Sequence, residues 1–152
     1  MPRTAIKYVK ARYFIDYFAQ KRYTVCMSAI AQFHCITTNY ERTETFADGE
    51  VEFTPTAVYL TVEMPDYTMR IGVSDDVTTI TRIGKDSYTL VLREGVETVM
   101  DMGLIRWSVY TQKLRFRQSD GKVDLMVKYS YGGDKDLTVT MLVHGTYEER
   151  CL

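Results

Sequence analysis

From Ser28 onward the chain alternates apolar and polar residues with a period of two, the signature of half-buried strands. Thr56–Met64 sets Val58, Leu60, Val62 and Met64 on one side, and Tyr67–Val73 sets Met69, Ile71 and Val73 together. Ser87–Arg93 turns Tyr88, Leu90 and Leu92 inward, and Lys122–Tyr129 does the same with Val123, Leu125, Val127 and Tyr129. Asp136–His144 follows with Leu137, Val139, Met141 and Val143 inward. Further strands are expected at Ser28–Thr37, Glu41–Ala47, Val51–Phe53, Val77–Ile83, Val96–Met102 and Ile105–Arg117. The last of these changes phase, with Ile105, Trp107 and Val109 at odd positions and Leu114 and Phe116 at even ones. A one-residue slip of that kind predicts a bulge near Thr111–Lys113.

Turn signals punctuate these runs: Asp48-Gly49, Pro65-Asp66, Asp75-Asp76, Gly84–Asp86, Glu94-Gly95, Ser119–Gly121 and Gly132–Asp134. Strands this short and evenly spaced, with no helical crossovers between them, exclude a parallel sheet. The expected fold is mainly β, an antiparallel meander of about eight to ten strands closed into a small barrel, because closure removes exposed edges.

Residues 4–22 read differently. They contain no Gly or Pro, Thr4 can cap their start, and Ile6, Val9, Tyr13 and Tyr17 fall on one helical stripe. Tyr8, Phe14, Ile15 and Phe18 lie elsewhere on the wheel, so this N-terminal helix is expected to pack on or near the barrel or against a partner. The chain has 152 residues and no linker-like tract, which predicts a single domain over 1–152.

The overall charge of −1 selects neither nucleic acid nor an anionic membrane. Its distribution is uneven: residues 1–25 carry six cations and one carboxylate, a +5 leader on a body of −6. No apolar run reaches the roughly 18–20 residues that span a bilayer. Cys26, Cys35 and Cys151 are odd in number and scattered, which fits a reducing cytoplasm better than a disulfide framework.

Three segments carry a family resemblance. DYTMRIGVSDDVTTITRIGKDSYTLVLREG, the methionine-bearing VMDMG, and DGKVDLMVKYSYGGDKDLTVTMLVHGTY, together about residues 67–147, resemble the DUF1934 family of small, uncharacterised bacterial proteins. The resemblance implies a calycin-like, lipocalin-type barrel and supplies no catalytic residues. The chain departs from the family pattern after Tyr110-Thr111, where Gln112-Lys113 stands in place of a glycine.

Residues able to carry chemistry are few. Cys35 and His34 are neighbours on a strand and must point to opposite faces, so Cys35 reads as core and His34 as surface. The two histidines and three cysteines show no metal-ligand spacing, and the loop aspartates lack the EF-hand pattern. No cofactor is implied, and Gly132-Gly133 lacks the lysine and helix of a phosphate loop. An enzyme is the weakest reading, with His144, Glu63 or Asp101 as its candidate titratable groups.

Two patterns bear on binding. An arginine among Arg70, Arg82, Arg93 and Arg106 that enters a barrel mouth can hold a carboxylate. Tyr59, Met69, Met102 and Trp107, with further methionines, can line an adaptable apolar cavity. The expected function is a binding module for a small apolar or amphipathic ligand. The alternative is an interaction module, a homodimer among its forms, that uses the leader or a strand edge.

Overall fold

The computed structural model describes residues 28–132 and 134–148. The expected helix at 4–22 lies outside them.

Ten strands form: β1 (Ser28–Asn39), β2 (Glu41–Phe53), β3 (Val58–Glu63), β4 (Tyr67–Val73) and β5 (Thr78–Gly84), then β6 (Tyr88–Leu92), β7 (Glu97–Asp101), β8 (Arg106–Ser119), β9 (Lys122–Tyr131) and β10 (Asp134–Tyr147). Each pairs antiparallel with the next, and β10 returns to β1, so the meander closes into a barrel. The closing ladder runs from Ala31 opposite Tyr147 to Thr38 opposite Thr140. The period-two alternation sets the interior. Val58, Leu60 and Val62 on β3, Met69, Ile71 and Val73 on β4, and Val123, Leu125 and Val127 on β9 are all buried. Together with Phe33, Ile80, Leu90 and Leu92 they fill the barrel as one hydrophobic core.

Two readings of the sequence meet the structure here. The phase change in the eighth strand is a real irregularity: the β8–β9 register shifts between Thr111 and Lys113. At the same point β8 receives Gly95 N–H on Thr111 O at 2.8 Å. Asp48-Gly49, by contrast, is no turn. It lies inside the unbroken strand β2, opposite Gln32 and Ala31 of β1. Glycine is required there for space, because a Cβ would meet Thr61 O at 1.8 Å and the Phe33 ring at 2.9 Å. The actual β1–β2 turn is at Tyr40, with φ 64°.

The barrel is uneven. β3 to β7 have five to seven residues, whereas β1, β2, β8, β9 and β10 have ten to fourteen. β3 meets β2 only from Asp48 onward, and β7 reaches no further along β8 than Tyr110. The short strands thus leave one mouth ringed by the ends of β5, β7 and β9 and the starts of β6, β8 and β10.

Candidate functional site

At that mouth lies a cavity of about 390 Å3. Its walls are Tyr88, Met100, Met102, Trp107, Tyr131 and Leu137, and its polar groups are Arg82 and Asp86. Strand phase brings these side chains together. Arg82 follows the buried Thr78 and Ile80 on the inward side of β5, and stands opposite Met69 on β4 and Tyr88 on β6. Met100 is opposite Trp107 across β7–β8. Met100 is buried, whereas Trp107 is 45% and Met102 40% exposed, so the cavity opens from a closed floor to a wet rim.

The Arg82 guanidinium is held in a fixed pose. Its carbon lies 3.8 Å from the centroid of the Tyr67 ring, a cation–π contact. Its Nε donates to Lys85 O at 3.1 Å. That carbonyl sits in the tight β5–β6 turn, where Gly84 (φ 135°) and Asp86 (φ 57°) adopt positive φ. The Ser87 hydroxyl ties the turn by donating to Gly84 O at 2.7 Å.

A group of phenols sits behind Arg82. Burial pushes the Tyr88 hydroxyl up to about 12, with Tyr131 and Tyr67 adding to the rise and Arg82 opposing it. Burial, with Tyr131 beside it, also raises Tyr129. The Tyr129 and Tyr131 rings meet edge to face at 5.5 Å. The cavity is therefore bordered by the Arg82 cation, the Tyr88 hydroxyl that burial keeps protonated, and the Asp86 carboxylate on its rim.

The sequence-derived candidates divide. Arg82, Trp107 and Met102 line the cavity. Met69 is buried in the barrel core and is not among its walls. Tyr59 and Arg70 sit on the outside of the barrel, because they alternate with the buried Leu60, Met69 and Ile71. There Arg70 lies 4.6 Å from the Tyr59 ring centroid, donates to Thr61 Oγ1 at 3.1 Å and pairs with Glu52 at 3.5 Å. Arg93 and Arg106 are also outside, paired with Asp76 at 3.9 Å and Asp101 at 3.8 Å. Tyr88, Tyr131, Leu137 and Asp86 are cavity residues beyond the sequence-derived set. Three of them lie in the inward phase or at strand ends, but no local signal tells which ends share a mouth.

A second constellation occupies the outer face. The register aligns Phe46, His34, His144, Asp124 and Arg117 in one row across β2, β1, β10, β9 and β8. His34 stacks on Phe46 with centroids 4.4 Å apart and hydrogen-bonds Glu44, while His144 hydrogen-bonds Asp124. Cys35 is on the opposite face from both histidines. It is buried, and burial pushes its thiol up to about 11, which suits an inert core residue. Among the described residues no group of three or more His, Cys, Asp or Glu side chains is placed to hold a metal ion. No helix among them is long and apolar enough to cross a membrane.

No protein-family model matches the sequence, and no curated protein matches it either. The fold is similar to that in the crystal structure of the ywiB protein from Bacillus subtilis, with a TM-score of 0.67 at 14% sequence identity. The match covers 84% of this chain and 97% of that one. A likeness at this identity shows a shared barrel fold.

Proposed function

We propose that the barrel is a binding module for a small apolar or amphipathic ligand, held at the mouth formed by β5 to β10. The observation that carries this reading is the cavity of about 390 Å3 walled by aromatic and methionine side chains. Small-molecule sites are concave, mostly apolar, roughly 300–1,000 Å3, and oriented by a few polar groups. Methionine and tryptophan walls adapt to a ligand's shape. The DUF1934 resemblance agrees with a barrel of this kind and names no ligand.

Trp107 is the only tryptophan in the chain, so its emission reports on the cavity directly. We expect saturable change in that emission with at least one of three eight-carbon probes: octanoate, octanol and octylamine. Native mass spectrometry of the same mixtures should show a one-to-one adduct. Silence in both measurements with all three probes would remove the cavity reading.

A second reading, self-association, is favoured by one observation on the outer face. Its outward residues grade from basic Lys113, Arg115 and Arg117 on β8, through Leu142 on β10 and Ile36 on β1, to acidic Glu44, Asp48 and Glu50 on β2. A two-fold axis along the strands sets the basic flank of one copy on the acidic flank of another. Reversing the charge of Arg115 and Arg117 should then lower the mass measured by light scattering. Reversing Asp48 and Glu50 as well should restore it. A monomeric mass at every concentration would exclude this reading.

A further inference from the structure

We infer that the mouth cavity selects ligands bearing a carboxylate, with Arg82 as the anchor and the aromatic and methionine walls receiving the apolar body. The inference rests on the reading of the mouth as a ligand site and adds the chemical class of the ligand.

The argument begins with a comparison of arginines. Arg70, Arg93 and Arg106 all lie outside the barrel, and each has a carboxylate within 4 Å. Arg82 is the member of that set on the inward side, and among the described residues no carboxylate lies within ion-pairing distance of it. Its Nε is committed to Lys85 O and its face to Tyr67. These two contacts fix the plane of the guanidinium and leave its terminal nitrogens without a carboxylate partner. A planar fork held in one orientation matches a carboxylate in bidentate fashion.

The surroundings favour an anion. Arg82 is half-buried, against the ring of Tyr67 and beside an apolar cavity, so water screens its charge only in part. Asp86 is the opposing charge on the rim; its exposure lets water weaken its repulsion of an anion at the mouth without removing it. The nearby Tyr88 hydroxyl stays neutral far above physiological pH and presents a donor rather than a second negative charge. A ligand carboxylate therefore meets one partly desolvated cation, while its hydrocarbon body meets Met100, Trp107 and Leu137.

The eight-carbon probes separate this inference from the broader reading, because they differ only at the head group. Octanoate should bind about ten-fold or more tighter than octanol, the ordinary advantage of a charge-assisted pair over a neutral hydrogen bond. Octylamine should be weaker than octanoate as well. Arg82→Gln should abolish the preference for octanoate over octanol, and Arg82→Lys should leave an intermediate preference. Asp86→Asn gives an independent arm that does not touch Arg82. Asparagine tolerates the positive φ of this position, so the turn is kept, and removal of the rim carboxylate should tighten octanoate alone. Octanoate and octanol binding equally, or a preference that survives Arg82→Gln or ignores Asp86→Asn, would overturn the carboxylate assignment with the cavity reading intact. Absence of binding by all three probes would instead defeat the cavity reading itself.

Discussion

Phe33 on β1 is 2% exposed, and its ring lies over two glycines, Gly49 on β2 and Gly145 on β10. An added Cβ at Gly145 would stand 2.7 Å from the ring and 2.9 Å from Val123 Cγ2. The ring thus occupies the space that side chains on both neighbouring strands would fill. Gly145→Ala should cost about 1–3 kcal/mol in urea denaturation, the usual range for overpacking. Adding Phe33→Leu should recover part of that loss, because the two sites share one contact. Gly49→Ala should be the more damaging, since its Cβ would meet backbone, Thr61 O at 1.8 Å, which cannot rotate away. Thr111 is a second residue whose environment dictates a direction. It is fully buried at the β8 irregularity, and its Oγ1 has no hydrogen-bond partner. Replacing the orphaned hydroxyl by a methyl of nearly equal size, Thr111→Val, should raise unfolding stability by about 1 kcal/mol. An unchanged or lower urea midpoint would mean that the hydroxyl is satisfied in solution.

At the scale of the element, the β1–β2 hairpin shows which signals a strand sequence carries and which it hides. Alternation marks both strands, yet the turn chemistry misleads: Asp48-Gly49 has the composition of a tight turn and lies mid-strand, whereas Tyr40 has no turn signature and takes φ 64°. The glycine answers to Phe33, a contact across strands that no local window contains. Tyr40 is 79% exposed, so its side chain contributes little burial to offset the left-handed backbone. Tyr40→Asn should therefore stabilise the hairpin by about 0.5–1 kcal/mol, because asparagine enters that region more readily. Thermal melting should register this as a gain of about 1–4 °C. The same alternation bears on the candidate site. It places Leu60, Ile71, Leu92 and Val109 inside, which by itself puts Tyr59, Arg70, Arg93 and Arg106 in the outward phase. It leaves Arg82, which shares the phase of Ile80, Trp107, which shares that of Val109, Met102, which shares that of Met100, and Met69, which shares that of Ile71 and goes to the core instead of the cavity. The stagger between strands was not legible. It sets Tyr88, Tyr131 and Leu137 at the same mouth as Arg82, and it depends on registers fixed by pairing rather than by any one strand.

For the molecule as a whole, closure of the barrel keeps ionisable groups neutral in its interior, and this couples folding to alkaline pH. Burial pushes the Cys35 thiol from 9.0 up to about 11 and the Tyr88 phenol from 10.0 up to about 12. Both are acids whose protons are held more tightly in the folded barrel than in the unfolded chain. Above pH 9 the unfolded chain releases the Cys35 proton first, so it binds fewer protons than the native state, and stability must fall as pH rises. The contribution of Cys35 is complete below about pH 9 and is lost as pH climbs through about 11. That of Tyr88 is complete below about pH 10 and is lost through about 12. We expect urea unfolding free energies to be insensitive to these two groups from pH 7 to 8.5. They should then decline by about 1.4 kcal/mol per pH unit for each group that has ionised in the unfolded state alone. Between pH 9 and 10 the decline belongs mainly to Cys35. Cys35→Ala should lower stability at neutral pH by opening space beside Phe33 and Val143, yet it should flatten the curve in that interval. If the variant and the parent fall in parallel from pH 9 to 10, the thiol titrates alike in both states, and the barrel wall at β1 and β10 admits water to a side chain that the register places inside.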